Sequence, residues 1–205
     1  MPIRSLIASA ILIVALSAAG AARATVNDAS YFINQLGNQA INTLRATNLT
    51  LDQREARFRG LLSQSFDLRF IGRFVLGRYW RDATPDQKND YIALYGEYLL
   101  QTYSARLGGY SGETLTVTGA RQANDKDIVV STVLARPSGR PIAADWRVRM
   151  SDGRYRIIDI MIEGISMAIT QRSEFSSVVQ RGGIEGLLTI LRARTTMFSA
   201  TVSID

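Results

Sequence analysis

The chain has 205 residues, with 24 Lys and Arg against 18 Asp and Glu, and neither Cys nor His. Those absences exclude disulfides, cysteine nucleophiles, thiolate metal sites and a lipidated N-terminal cysteine, and they remove the commonest general base and zinc ligand. Catalysis would have to rest on carboxylates, tyrosines, arginines and two lysines, and 46% hydrophobic residues at this length suit one domain with a real core.

Met1 to Arg4 is a short positive start, Leu6 to Ala19 an uncharged run, and Ala22 and Ala24 are small residues at the spacing a signal peptidase reads. That order is the pattern of a secretory signal peptide. The run falls short of the roughly 20 apolar residues that cross a bilayer. Cleavage is expected after Ala24, giving an exported, soluble chain without a lipid anchor. The expected organisation is a signal peptide over 1–24, one α+β domain over 25–195 and a tail over 196–205.

The net charge of +6 comes almost wholly from arginine, since Lys88 and Lys126 are the lysines. It is too dilute for a nucleic-acid partner. Arginines pair well with phosphates, so a few suit a membrane-facing surface.

Helical spacing dominates the first half of the mature chain. Ala29 to Ala46 places Phe32, Ile33, Leu36, Ala40, Ile41 and Leu44 on one face. Asp52 is a candidate cap for a second helix with Phe58, Leu61 and Leu62 inward. Asp67 can cap a third, ending at Gly77. Thr84-Pro85-Asp86-Gln87 combines an N-cap, Pro at the first helical position and a capping-box Gln. The helix it opens carries Tyr91, Leu94, Tyr95, Tyr98, Leu99, Tyr103 and Leu107 to a stop at Gly108-Gly109.

After Tyr110 the period becomes two. Leu115 and Val117 alternate with threonines, and Ile128 to Ala135 is a nearly continuous β-branched run whose two faces alternation cannot separate. Ile142, Ala144, Trp146, Val148 and Met150 share one face of a third strand. Asp152-Gly153 makes a hairpin turn, and Ile158, Ile160 and Ile162 share one face of a fourth strand. Helix returns from Ser166 to Gln180, breaks at Gly182-Gly183, and resumes from Ile184 to Arg194. The fold class is α+β, with N-terminal helices, a four-stranded curved antiparallel sheet and C-terminal helices.

The chemistry available is thin. Asp145, Asp159 and Glu163 form the one carboxylate group that could in principle serve acid–base work. Such residues more commonly pair with cations, here Arg147, Arg149 or Arg156. Asp152 and Glu163 have calcium-loop spacing, but Arg154 and Arg156 stand where ligands belong and Ile157 where glycine is required. No catalytic residue, metal or cofactor is expected. What stands out is apolar surface, which reads either as a well-packed core or as an elongated pocket between the curved sheet and the long helix, and Tyr95, Tyr98 and Tyr103 have the polar tips that suit the wall of such a pocket.

Three segments, in order, resemble one family. Phe74-Val-Leu-Gly77-Arg-Tyr-Trp80-Arg with Ala83-Thr-Pro85-Asp-Gln87 is similar to the signature preceding the long helix of the toluene-tolerance/MlaC family. Asp159 to Met167 resembles its strand-to-helix corner, and Gly183-Ile-Glu-Gly186-Leu-Leu its C-terminal segment. The resemblance implies a cone of helices on a curved sheet, related to nuclear transport factor two. It also implies a periplasmic, non-enzymatic carrier of phospholipid, or of a hopanoid in one branch. Its partners would be an inner-membrane ABC transporter with an MCE-domain protein and an outer-membrane lipoprotein complex. The expected cavity lining is Phe74, Leu76, Tyr98, Leu99, Tyr103, Val129, Val133, Trp146, Val148, Ile158, Ile160 and Ile162. Gly164 is expected to turn the chain at the corner, with Ser166 as a cap.

Overall fold

The computed structural model describes residues 25–104 and 110–202. The expected leader, and Leu107 with the Gly108-Gly109 stop, lie outside the described residues.

Four helices lead into a longer fifth one. The first, α1 (Val26–Arg45), starts ahead of the expected Ala29 because Thr25 Oγ1 accepts the Asp28 amide. The second, α2 (Leu51–Ser65), is capped by Thr50 and not by Asp52. Thr50 and Gln53 close a reciprocal capping box that leaves Asp52 in the first turn. The third, α3 (Leu68–Leu76), begins on Asp67 and ends at Gly77, whose φ of 59° favours glycine. A single turn, α4 (Tyr79–Asp82), follows, too short for periodicity to reveal. The Thr84/Gln87 box then opens α5 (Pro85–Ser104) as expected.

The sheet is an antiparallel meander of β1 (Thr114–Gln122), β2 (Asp127–Ala135), β3 (Ile142–Ser151), β4 (Arg154–Ile162) and a two-residue β5 (Ile165–Ser166). The fifth strand adds to the expected four. Glu163 and Gly164, both at positive φ, turn β4 straight back on itself before the helix begins. Bulges interrupt β1 between Val117 and Gly119 and β4 at Ile158, and such insertions bend a strand. The last helix, α6 (Met167–Val202), has a break at Gly183, with φ 66° and ψ −174°. It runs on past the expected end at Arg194, and Thr195 is buried against it with its hydroxyl on Leu191 O.

Two apolar clusters hold the α+β fold together. One is helical: Ile71, Val75 and Leu76 of α3, Tyr91, Tyr95, Tyr98 and Leu99 of α5, and Phe175, Leu187 and Leu191 of α6. Tyr91 and Tyr95 stack at 5.6 Å, and Phe175 meets both edge-on. The other sets Ala29 and Ile33 of α1 on Ile128, Val130, Val148 and Ile157 of the sheet. Phe66, at the end of α2, packs against both, and the neighbouring Asp67 amide donates to Ile157 O (2.9 Å).

Candidate functional site

Strand register builds three rungs on the α1 face of the sheet. Ile128, Val148 and Ile157 form the first, Val130, Trp146 and Ile160 the second, and Thr132, Ala144 and Ile162 the third. Paired residues on antiparallel strands point to the same side. The first rung is fully buried beneath Ala29 and Ile33. Beyond it Val130, Thr132 and Ala144 are still buried, but Trp146, Ile160 and Ile162 are only half-buried, as are Leu134 and Ile142.

This strip has no titratable side chain. Trp146 Nε1 donates to Thr132 Oγ1 (2.8 Å), and that hydroxyl donates to Ala144 O (3.0 Å). Its polar atoms are spent on one another. Such a surface can receive hydrocarbon, and it has nothing with which to hold or move a proton.

The opposite face mixes valines with the charged residues Asp127, Asp145, Arg147 and Arg149. Asp127, 2% exposed, accepts Arg149 Nε (2.6 Å) and Nη2 (3.1 Å) and Asn124 Nδ2 (2.9 Å). Burial pushes its carboxyl up, but the hydrogen bonds from Arg149 and Asn124, with the nearby guanidinium charges, outweigh that and hold it below the usual carboxylate range.

Two of the three carboxylates singled out in the sequence, Asp159 and Glu163, serve the backbone. Asp159 accepts the Ala168 amide (3.1 Å) and the Ser166 hydroxyl (2.6 Å), which ties the start of α6 to β4. Ser166 Oγ in turn accepts the Ile169 amide, the cap expected there. Glu163 accepts the Ala143 amide (2.7 Å). Among the described residues neither forms the arginine pair that the sequence suggested, and Arg149 goes to Asp127 instead. Burial drives the Tyr91 and Tyr95 hydroxyls upward, and they donate to Gly72 O and Gln171 Oε1. Tyr95 is therefore core and not pocket wall. Among the described residues no group of three or more Asp or Glu is placed to hold a metal.

The twelve expected lining residues separate into groups. Trp146, Ile160 and Ile162 lie together on the apolar strip, whereas Val148 is sealed in the first rung beneath α1. Leu76, Tyr98 and Leu99 belong to the helical cluster. Val129 and Val133 pair with Arg147 and Ala143 on the opposite face, and Ile158 is the extra residue of the β4 bulge. Phe74 and Tyr103 are surface residues, 36% and 41% exposed. Alternation along β4 hid Ile157, because the bulge exchanges it with Ile158 as the inward residue. Ile142 was within reach of the sequence through its parity with Trp146 on β3, whereas Leu134 is placed only by its pairing with Ile142.

Helices on an antiparallel meander sheet, with a partly covered apolar strip whose polar atoms are paired off, define an α+β fold. The family model described as MlaC protein matches residues 34–193, and the chain belongs to that family. It is 23% identical over 127 residues to the intermembrane phospholipid transport system binding protein MlaC of Haemophilus influenzae, covering 60% of this chain and 59% of that one. It is 24% identical over 106 residues to the toluene tolerance protein Ttg2D of Pseudomonas putida, covering 52% and 49%. The chain thus spans between about half and three-fifths of these curated relatives. The fold matches that of a phospholipid-binding protein from Ralstonia solanacearum, solved in complex with a phospholipid. The TM-score is 0.73 at 24% identity, over 83% of this chain and 98% of that one.

Proposed function

We propose that this protein is a lipid carrier of the bacterial envelope, holding the acyl chains of a phospholipid against the Trp146–Ile160–Ile162 strip. The observation that carries the reading is that strip: apolar, half-covered, and joined to a fold shared with a phospholipid-bound relative. Two acyl chains of about 16 carbons exposed to water cost on the order of 20 kcal/mol, at roughly 0.8 kcal/mol per CH₂. A lipid crosses an aqueous gap singly only when that surface is covered. The reading places the chain in the periplasm after removal of its leader. It would exchange cargo with an inner-membrane ABC transporter bearing an MCE-domain protein and with an outer-membrane lipoprotein complex. The relatives' names favour phospholipid over a polycyclic hopanoid.

Native mass spectrometry of protein purified without detergent tests this. A stoichiometric adduct of phospholipid mass is the expected result, and a triterpenoid mass would change the cargo. Ile162→Arg, which puts a charge at a half-buried site of the strip, should abolish the adduct while a melting curve shows that the fold survives. A clean apo mass for the unaltered protein defeats the carrier reading.

A further inference from the structure

Between residues 69 and 88 the chain carries Arg69, Arg73, Arg78, Arg81 and Lys88 against Asp82 and Asp86. The fold gathers part of this excess onto one cleft, at the α3–α4–α5 edge of the helical cluster. Arg69, Trp80, Pro85, Lys88, Asn89 and Ile92 line a depression of about 450 Å³. Arg73 Cζ and Lys88 Nζ lie 5.8 and 5.7 Å from the centroid of the Trp80 ring. Arg69, Arg73 and Lys88 form no ion pair among the described residues, whereas Arg59, Arg149 and Arg192 each meet a carboxylate. Phe74, next to Arg73 in α3, is exposed, with the Arg172 guanidinium 5.1 Å from its ring.

We propose that this cleft is the surface by which the protein docks on an anionic phospholipid bilayer. Cations without internal carboxylates keep their charge for an external anion, and lipid phosphates present a plane of them. Arginine meets phosphate through two parallel N–H donors, so Arg69 and Arg73 grip a phosphate layer better than lysines at the same sites would. An indole flanked by cations and walled by Pro85 and Ile92 matches the headgroup level of a membrane, where amphipathic rings settle. The apolar wall of Trp80, Pro85 and Ile92 favours a bilayer over a purely acidic polypeptide, because it gains by entering the interfacial layer. Docking does not depend on the carrier reading. It is measured without cargo, so either can fail alone.

Co-sedimentation with vesicles tests the proposal. The protein should sediment with phosphatidylethanolamine vesicles containing about a quarter phosphatidylglycerol and stay in solution with phosphatidylcholine, and added salt should weaken the binding. The triple variant Arg69→Gln/Arg73→Gln/Lys88→Gln should lose binding on the order of a hundredfold, at roughly a factor of five per cation. The control Arg121→Gln/Arg140→Gln/Arg154→Gln removes the same charge elsewhere and should lose less than about threefold, since charges beyond the contact are screened. Melting temperatures of both variants confirm that they fold. Absence of binding by the unaltered protein overturns the proposal, as does equal loss in both triples or binding retained by the cleft triple. Capture of polyglutamate in place of vesicles also overturns it and reassigns the cleft to an acidic protein.

Discussion

Asp127 is the residue whose protonation the fold depends on most directly. Its carboxylate is buried between Arg149 and Asn124, and Arg149 Cζ also lies 4.7 Å from the Phe70 ring. Because its pKa is lowered in the folded state, the pair contributes stability that is fully present above the unfolded value of about 3.9 and is lost as pH falls below it. Thermal melts should therefore fall between about pH 5 and pH 2, and Asp127→Asn should flatten that dependence while lowering stability at pH 7. Asp127→Ala should cost about 3 kcal/mol, the low end for breaking a buried pair, because the Arg149 side chain keeps 29% of its surface in water. An unchanged denaturation midpoint would show that the pair is solvated. Tyr91→Phe tests a smaller quantity. It removes one hydrogen bond and leaves the Gly72 carbonyl without that partner, so about 1 kcal/mol is expected from urea unfolding.

Helix boundaries were the elements best written into the sequence, because caps act locally. Asp67, Thr84-Pro85 and Gly77 each set a helix end through contacts within a few residues. The break at Gly183 was legible for the same reason, and it carries the sharpest element-level prediction. Its φ and ψ fall where essentially only glycine rests, and no neighbouring atom crowds a Cβ built there. Gly183→Ala should thus cost about 1–3 kcal/mol from backbone strain alone, whereas Gly182→Ala, on ordinary helical backbone, should be neutral or slightly stabilising. Equal effects in paired urea titrations would refute that assignment. The face of a strand was harder to read. Ile128 to Ala135 is β-branched on both sides, and only pairing with Trp146 and Arg147 tells Val130 from Val129. The bulge at Ile158 broke the alternation of β4, so Ile157 turned inward instead. A bulge is fixed by partners distant in sequence, and no local pattern announces it. The Gly164 turn was expected, but the short β5 that follows it was missed for a related reason, since its pairing with Met161 and Ile162 forms only in the folded sheet.

At the scale of the whole molecule, two cores meet at Phe66, and they differ in how completely they are sealed. The helical core buries Tyr91 and Tyr95 entirely, whereas the sheet core is closed only beneath α1 and opens toward Trp146 and Ile162. A lipid bound on the strip would complete the second core and leave the first nearly untouched. Anything that binds the folded state alone raises its stability by mass action, so the loaded protein should melt several degrees above the delipidated one. The gain should be uneven. Local opening follows the number of buried apolar contacts that hold a segment, so delipidation should speed amide exchange in β2 from Thr132 to Ala135, in β3 from Ile142 to Trp146 and in β4 from Ile160 to Ile162. Amides of α3 and of α5 around Tyr91 and Tyr95 should keep their protection. Hydrogen–deuterium exchange with mass readout, on one preparation before and after lipid extraction, compares the two cores directly. Acceleration confined to the strand ends places the cargo on the strip. Acceleration spread evenly through α3 and α5 would instead mean that the lipid seat reaches into the helical core, beside Leu76, Tyr98 and Leu99.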